Sequence, residues 1–230
     1  MSASGHVPVR AVVFDLDGTL ADTERLSDLA WSEVLARRGY TATPADFAAV
    51  VGRPVAANLA HFATRVEIGD PDAFRAEVRA SFLGLVASDL RLHEDAAGSL
   101  RALAADGVAV GVATSSTREH AARVLATGGL EAVVAVVVAA EDVARHKPDA
   151  APYLEALRRL GVPPEAASAV EDTPVGATSA RAAGAWTIAV RRAHAVPELD
   201  LAADVVVDVV TVDVLRTRPG GPRPAAPAPA

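Results

Sequence analysis

The chain has 230 residues, 51% of them hydrophobic and 22% charged, with a formal net charge of −7. These values suit a folded core with a modest insert and exclude wholesale disorder. The acidic balance excludes a generic nucleic-acid binder, which needs a basic footprint, and the lack of cysteine excludes disulfides, thiolate nucleophiles, iron–sulfur clusters and cysteine-ligated zinc.

Residues 1–8 read as a flexible lead. Val9–Phe14 is a short, β-branched apolar run, predicted to be a buried strand ending in the turn Asp15-Leu16-Asp17-Gly18-Thr19-Leu20. From residue 22 to 90 the pattern becomes helical. Leu26, Ala30 and Val34 recur four apart, Gly39 offers a stop, and Pro44, Pro54 and Pro71 stand where further helices can open. Beyond Leu92, helices and strands alternate. The spacing predicts helices near 94–106, 117–127, 149–160 and 175–183, and strands at Val108–Ala113, Val133–Val138, Ala167–Val170, Trp186–Val190 and Asp204–Val209.

That alternation implies βαβ units and a mostly parallel sheet. Val133–Val138 is apolar on both faces, as a strand covered on both sides requires. The expected fold class is therefore α/β: a doubly wound, mostly parallel, Rossmann-like core from residues 9–21 and 91–216. A small all-helical insert fills 22–90, and the Pro/Ala-rich 217–230 reads as a flexible tail. The longest apolar run, Ala132–Ala140, falls far short of the ~20 residues that cross a bilayer. With no signal-peptide stretch, the expectation is a soluble, cytoplasmic protein.

In doubly wound sheets ligands bind beyond the carboxyl ends of the strands. Asp15, Asp17, Thr114, Ser115, Glu141, Asp142, Glu171 and Asp172 all follow an apolar strand directly. Asp15 is placed to act as a nucleophile, since a carboxylate can attack phosphorus. Asp17, two residues on, can protonate a leaving oxygen and later activate water. Gly18 permits the turn, and Thr19 can orient a carboxylate. Glu171 and Asp172 would repel the first acidic pair unless a cation lay between, and Mg²⁺ is the hard cation that oxygen ligands suit. The same residues also read as a helix start at Asp172-Thr173-Pro174. Thr114-Ser115-Ser116 suits a phosphate, or an ordinary Ser/Thr cap. Lysine and arginine total 22, yet Lys147 is the one lysine. A position that keeps lysine calls for a compact point charge rather than a planar fork. A surface cation is the simpler alternative.

Taken in order, DLDGTL, TSS, KP and VEDTPVG on a βαβ scaffold resemble the haloacid dehalogenase (HAD) superfamily over about Val9 to Val210. The insert after the first motif resembles the C1 cap of its phosphatase and β-phosphoglucomutase-like branch. The resemblance implies Asp15 as nucleophile, Asp17 as acid and base, Thr114 and Ser115 on the phosphate, and Lys147 as the stabilising cation. It further implies Mg²⁺ held by the Asp15 side chain, the Asp17 main-chain carbonyl and Asp172, with Glu171 nearby. Gly52-Arg53-Pro54 resembles the cap's specificity loop, so Gly52 and Arg53 become substrate candidates; Arg25 and His61 are weaker ones. Some features depart from the pattern: EDT replaces EDS, Ala151 stands where an acid is common, and His146 precedes the lysine. Mutases of this branch carry a histidine four residues before a tryptophan; here Ser27 precedes Trp31. The implied activity is hydrolysis of a small phosphomonoester such as a sugar phosphate or phosphoglycolate. A sugar-phosphate mutase and a non-catalytic phospho-ligand-binding module are the alternatives. The implied partner is a small phosphorylated metabolite, with no nucleic acid and no membrane.

Overall fold

Six parallel strands carry the molecule's chemistry, and their order decides where it sits. The structure, a computed structural model, describes residues 6–50, 55–192 and 198–219. Its strands are β1 (His6–Pro8), β2 (Ala11–Phe14), β3 (Ala109–Ala113), β4 (Val136–Val138), β5 (Ala167–Glu171), β6 (Trp186–Val190), β7 (Val205–Val207) and β8 (Thr217–Pro219). The main sheet runs β4-β3-β2-β5-β6-β7. All its pairings are parallel. The chain steps outward from β2 through β3 to β4, then returns to the other side of β2 for β5. The crevice between the ends of β2 and β5 is thus the topological switch point, where open α/β sheets bind ligands.

Chain divides here into two compact units, one built from residues up to Asp22 and from Arg91 onward, the other Thr23–Leu90. The first holds the sheet with α5 (Glu94–Ala105), α6 (Arg118–Thr127), α7 (Ala151–Leu160), α8 (Pro174–Ala182), α9 (Leu199–Ala202) and α10 (Val212–Arg216). Helices on the faces explain why every residue of β2 and β5 is buried. Val13, Val138, Tyr153, Leu157 and Ala169 form one continuous apolar cluster. Each large apolar side chain so buried contributes about 1.5–3 kcal/mol. Ser168, a buried polar residue of β5, donates its hydroxyl to the Leu215 carbonyl at 3.1 Å and so stays satisfied.

The second unit is all-helical: α1 (Thr23–Ala36), α2 (Pro44–Ala48), α3 (Val55–Ala63) and α4 (Pro71–Asp89). Trp31 and Phe62 stack with centroids 5.3 Å apart, Phe74 lies 5.5 Å from Trp31, and Val34, Leu35 and Leu59 close the cluster. Pro44 and Pro71 each open a helix, capped by Thr43 and Asp70. The chain leaves and re-enters the first unit along two adjacent paths. The Asp22 amide donates to the Arg91 carbonyl at 2.9 Å, the His93 amide to the Leu20 carbonyl at 2.9 Å, and Ala21 bridges Leu92 antiparallel.

Several boundaries differ from the sequence reading, among them β2, which begins at Ala11 rather than Val9, and β7, which spans Val205–Val207 rather than Asp204–Val209. Val133 and Val134 do not join β4, because their amides turn back to the Leu130 carbonyl. Ala140–Asp142 is a 3₁₀ turn that the sequence reading leaves out. His6–Pro8 and Thr217–Pro219, read as flexible ends, pair antiparallel. Main-chain hydrogen bonds rather than apolar side chains hold that pair, so no pattern announces it. Among the described residues no helix is long and apolar enough to cross a membrane.

Candidate active site

Asp15 sits one residue past β2 because its amide continues the ladder, donating to the Val170 carbonyl at 2.9 Å. Leu16 and Leu20 are fully buried and anchor the following turn. Gly18 has φ +82°, a conformation that L side chains rarely adopt. A Cβ at Gly18 would also overlap the Asp172 carboxylate, so the loop needs glycine on two counts. Thr19 donates its hydroxyl to Asp172 Oδ1 at 2.8 Å, tying the first loop to the end of β5. Lys147 Nζ lies 2.5 Å from Asp15 Oδ1 and 2.6 Å from Glu171 Oε1, with its side chain only 5% exposed. Single carboxylate oxygens of Asp15, Glu171 and Asp172 all fall within 4.8 Å of one another. A family model described as haloacid dehalogenase-like hydrolase matches residues 12–190, the span that carries all of these groups.

The chain belongs to the haloacid dehalogenase-like hydrolase family. It is 30% identical to a validoxylamine A 7'-phosphate phosphatase from Streptomyces hygroscopicus subsp. limoneus, over 91% of this chain and 96% of that one. It is 31% identical to hexitol phosphatase A of Escherichia coli, over 92% and 96%. Among solved structures, CbbY from Rhodobacter sphaeroides in complex with phosphate aligns with TM-score 0.75 and 26% identity, over 87% of this chain and 94% of that one.

The electrostatics of this hydrolase's cluster follow from its composition. Burial pushes the Asp15 carboxyl well above the usual carboxylate range. Lys147 opposes that shift, while Glu171, Asp172 and Asp17 reinforce it. Burial alone would lower the Lys147 ammonium, but Asp15 and Glu171 overcome it and hold the group above its ordinary value. Among the described residues one ammonium thus faces several carboxylates, leaving that cluster short of positive charge. The trio of oxygen donors and that deficit fit a hard divalent cation.

Asp17 lies outside the trio. Its Oδ2 accepts from Ser116 Oγ at 2.6 Å and Thr114 Oγ1 at 3.3 Å, and its Oδ1 lies 2.6 Å from His120 Nε2. Thr114 is buried at the end of β3 and Ser115 beside it is exposed. The helix-start reading falls to Thr173, whose hydroxyl caps α8 through the Gly176 amide, while Asp172 accepts from Thr19. Glu141 and Asp142 are committed elsewhere. Glu141 accepts from the Arg118 amide, and Asp142 takes the Arg118 and Arg159 guanidinium groups. His146 is exposed. Gly52 and Arg53 lie outside the described residues. Arg25 pairs with Asp89 at 2.7 Å, and His61 approaches Asp46 at 3.4 Å.

Two residues in contact with the site's acidic groups escaped the sequence reading. Tyr153 is fully buried and donates its hydroxyl to Glu171 Oε1 at 2.7 Å, and Lys147 Nζ stands 5.2 Å from its ring centroid. Burial first, then Glu171, raise its phenol well above the ordinary value, so it remains a donor. Its place six residues after Lys147 on α7 was the available signal. His120 gave none beyond its place in the first turn of α6.

Proposed function

We propose that this hydrolase is a Mg²⁺-dependent phosphatase acting on a small phosphomonoester in the cytoplasm. The carrying observation is the separation of two aspartates two residues apart: Asp15 in the lysine-paired acidic trio, Asp17 among hydroxyl and imidazole groups. That separation gives them different roles. The Asp15 carboxylate attacks phosphorus in line. An Asp15–phosphorus bond forms as the bond to the leaving alcohol breaks, and Asp17 delivers a proton to that oxygen. Asp17 then takes a proton from water, whose oxygen attacks the aspartyl-phosphate, releasing phosphate and regenerating Asp15. Lys147 holds the nucleophile and the anionic phosphoryl oxygens together, and Thr114 and Ser115 orient them. Asp15, Asp172 and the Asp17 carbonyl would hold the metal, with Glu171 behind them. When bound, the metal supplies charge neutralisation to the phosphoryl group.

The relatives' names support the substrate class. They include phosphatases of phosphoglycolate, of hexitols and of a validoxylamine 7'-phosphate. Ser27, in place of a histidine four residues before Trp31, favours water over a second sugar as acceptor. The test is phosphate release from sugar phosphates, phosphoglycolate and p-nitrophenyl phosphate, for wild type and Asp15→Asn, with Mg²⁺ and with EDTA. Release should need both Mg²⁺ and Asp15. Turnover near wild type in Asp15→Asn would refute the assignment. Isomerised sugar phosphate without net release would point to the mutase instead.

A further inference from the structure

His120 lies 103 positions from Asp17 in sequence, yet its Nε2 stands 2.6 Å from Asp17 Oδ1. The approach is built from below. Thr117 caps α6, and its hydroxyl accepts from the His120 amide at 3.3 Å, which fixes the turn that carries the ring. Both side chains are mostly sheltered, His120 18% and Asp17 27% exposed. Ser116 and Thr114 both donate to Oδ2. Contacts at Oδ2 leave a carboxylate able to pivot about that oxygen. A donor at Oδ1 fixes a second point and therefore the carboxylate plane.

We propose that His120 is a positioning residue for Asp17, fixing the plane from which Asp17 passes a proton to the leaving alcohol. This deepens the phosphatase reading and rests on it. A group placed for proton transfer loses rate steeply when it wanders, by about a hundredfold for a displacement near 1 Å. Facing a carboxylate oxygen, the Nε2-protonated ring donates, so glutamine, whose terminal amide reaches a similar place, substitutes for it. Asparagine is too short to do so.

The loss should depend on the leaving group. An alkyl alcohol leaves poorly without a proton, whereas p-nitrophenolate leaves readily without one. The readout is kcat/KM, which ends at release of the alcohol and so omits the later hydrolysis of the aspartyl-phosphate. The substrates are p-nitrophenyl phosphate and an alkyl phosphate from the panel, phosphoglycolate or a hexose 6-phosphate. With the alkyl phosphate, His120→Ala should fall about tenfold to a hundredfold. With p-nitrophenyl phosphate it should fall less than about threefold, and His120→Gln should recover both. Asp17→Asn is the control, with the same asymmetry but a larger loss, about 10²–10⁴-fold on the alkyl phosphate. If His120→Ala does not fold, His120→Asn against His120→Gln carries the same comparison. Equal losses on both substrates in Asp17→Asn would remove the acid role itself. An asymmetric Asp17→Asn with a symmetric or silent His120→Ala would overturn the inference about His120 while leaving the acid role intact.

Discussion

Gly176→Ala sets helix propensity against geometry. Gly176 lies in the first turn of α8, where alanine ordinarily gains up to about 1 kcal/mol over glycine. Here the added methyl would overlap all three atoms of the Glu171 carboxyl group. Restoring ordinary contact needs the carboxylate to retreat by roughly 1.5 Å. Glu171 is only 1% exposed and is held by Lys147 at 2.6 Å, Tyr153 at 2.7 Å and Thr173 at 3.2 Å, so it has no open space to enter. Such a retreat breaks the lysine bond, worth about 1.5–3 kcal/mol, and the phenol bond, worth about 1. Overpacking adds about 1–3 kcal/mol. After the propensity gain, the net expected loss is about 2.5–6 kcal/mol, or a Tm drop of roughly 5–25 °C for a chain this size. Thermal unfolding followed by circular dichroism in EDTA reads it directly. Gly98→Ala in α5 is the matched control, since a Cβ there meets nothing within 4 Å. It should raise stability by about 0.5–1 kcal/mol. A Gly176→Ala protein as stable as Gly98→Ala would refute the close approach to Glu171.

Two further outcomes follow from the charge arrangement. Mg²⁺ at about a hundred times its Kd should add about 2.7 kcal/mol to unfolding stability, and Asp172→Asn should lose most of that gain. An undiminished gain in a thermal titration would remove Asp172 from the metal site. In the helical unit, Asp46 accepts from the Thr43 amide at 2.9 Å and its hydroxyl at 2.8 Å, from Tyr40 at 2.9 Å, and pairs with Arg65 at 2.9 Å. The Thr43 main-chain bond first, then the Thr43 hydroxyl, Tyr40 and His61, hold its carboxyl well below the usual range against the opposing effect of burial. A depressed folded value gives stability above the unfolded pKa near 4 that fades as pH falls. Asp46→Asn should therefore lower Tm at pH 7, with the gap from wild type shrinking below pH 4. A gap unchanged between pH 7 and pH 2 would contradict this.

What the sequence made legible were features encoded locally. The β-branched apolar run Val9–Phe14 announces a buried strand, and the turn Asp15–Leu20 announces itself through Gly18. The periodicity of Leu26, Ala30 and Val34 likewise fixes the inward face of α1. Lys147 stood out through the rarity of lysine in a chain that otherwise uses arginine. Contacts between distant segments were not legible. His120 meets Asp17 only because β3 lies beside β2. Tyr153 reaches Glu171 only because α7 carries it to the end of β5. The shortening of β4 was hidden as well, since a turn after α6 claims two valines whose side chains suit a strand equally well.

The paired exit and return at Asp22 and Arg91 have a consequence beyond the fold. Seen from the sheet, all of Thr23–Leu90 occupies the place of a hairpin loop. Its ends are already joined by hydrogen bonds at Leu20, Ala21 and Asp22, so closure does not depend on what lies between. Loop length adds little entropy once the ends are fixed. Such a junction lets the inserted segment be exchanged whole while the strand ends stay joined. It also marks where a designer would cut to transplant the helical segment of one relative into another.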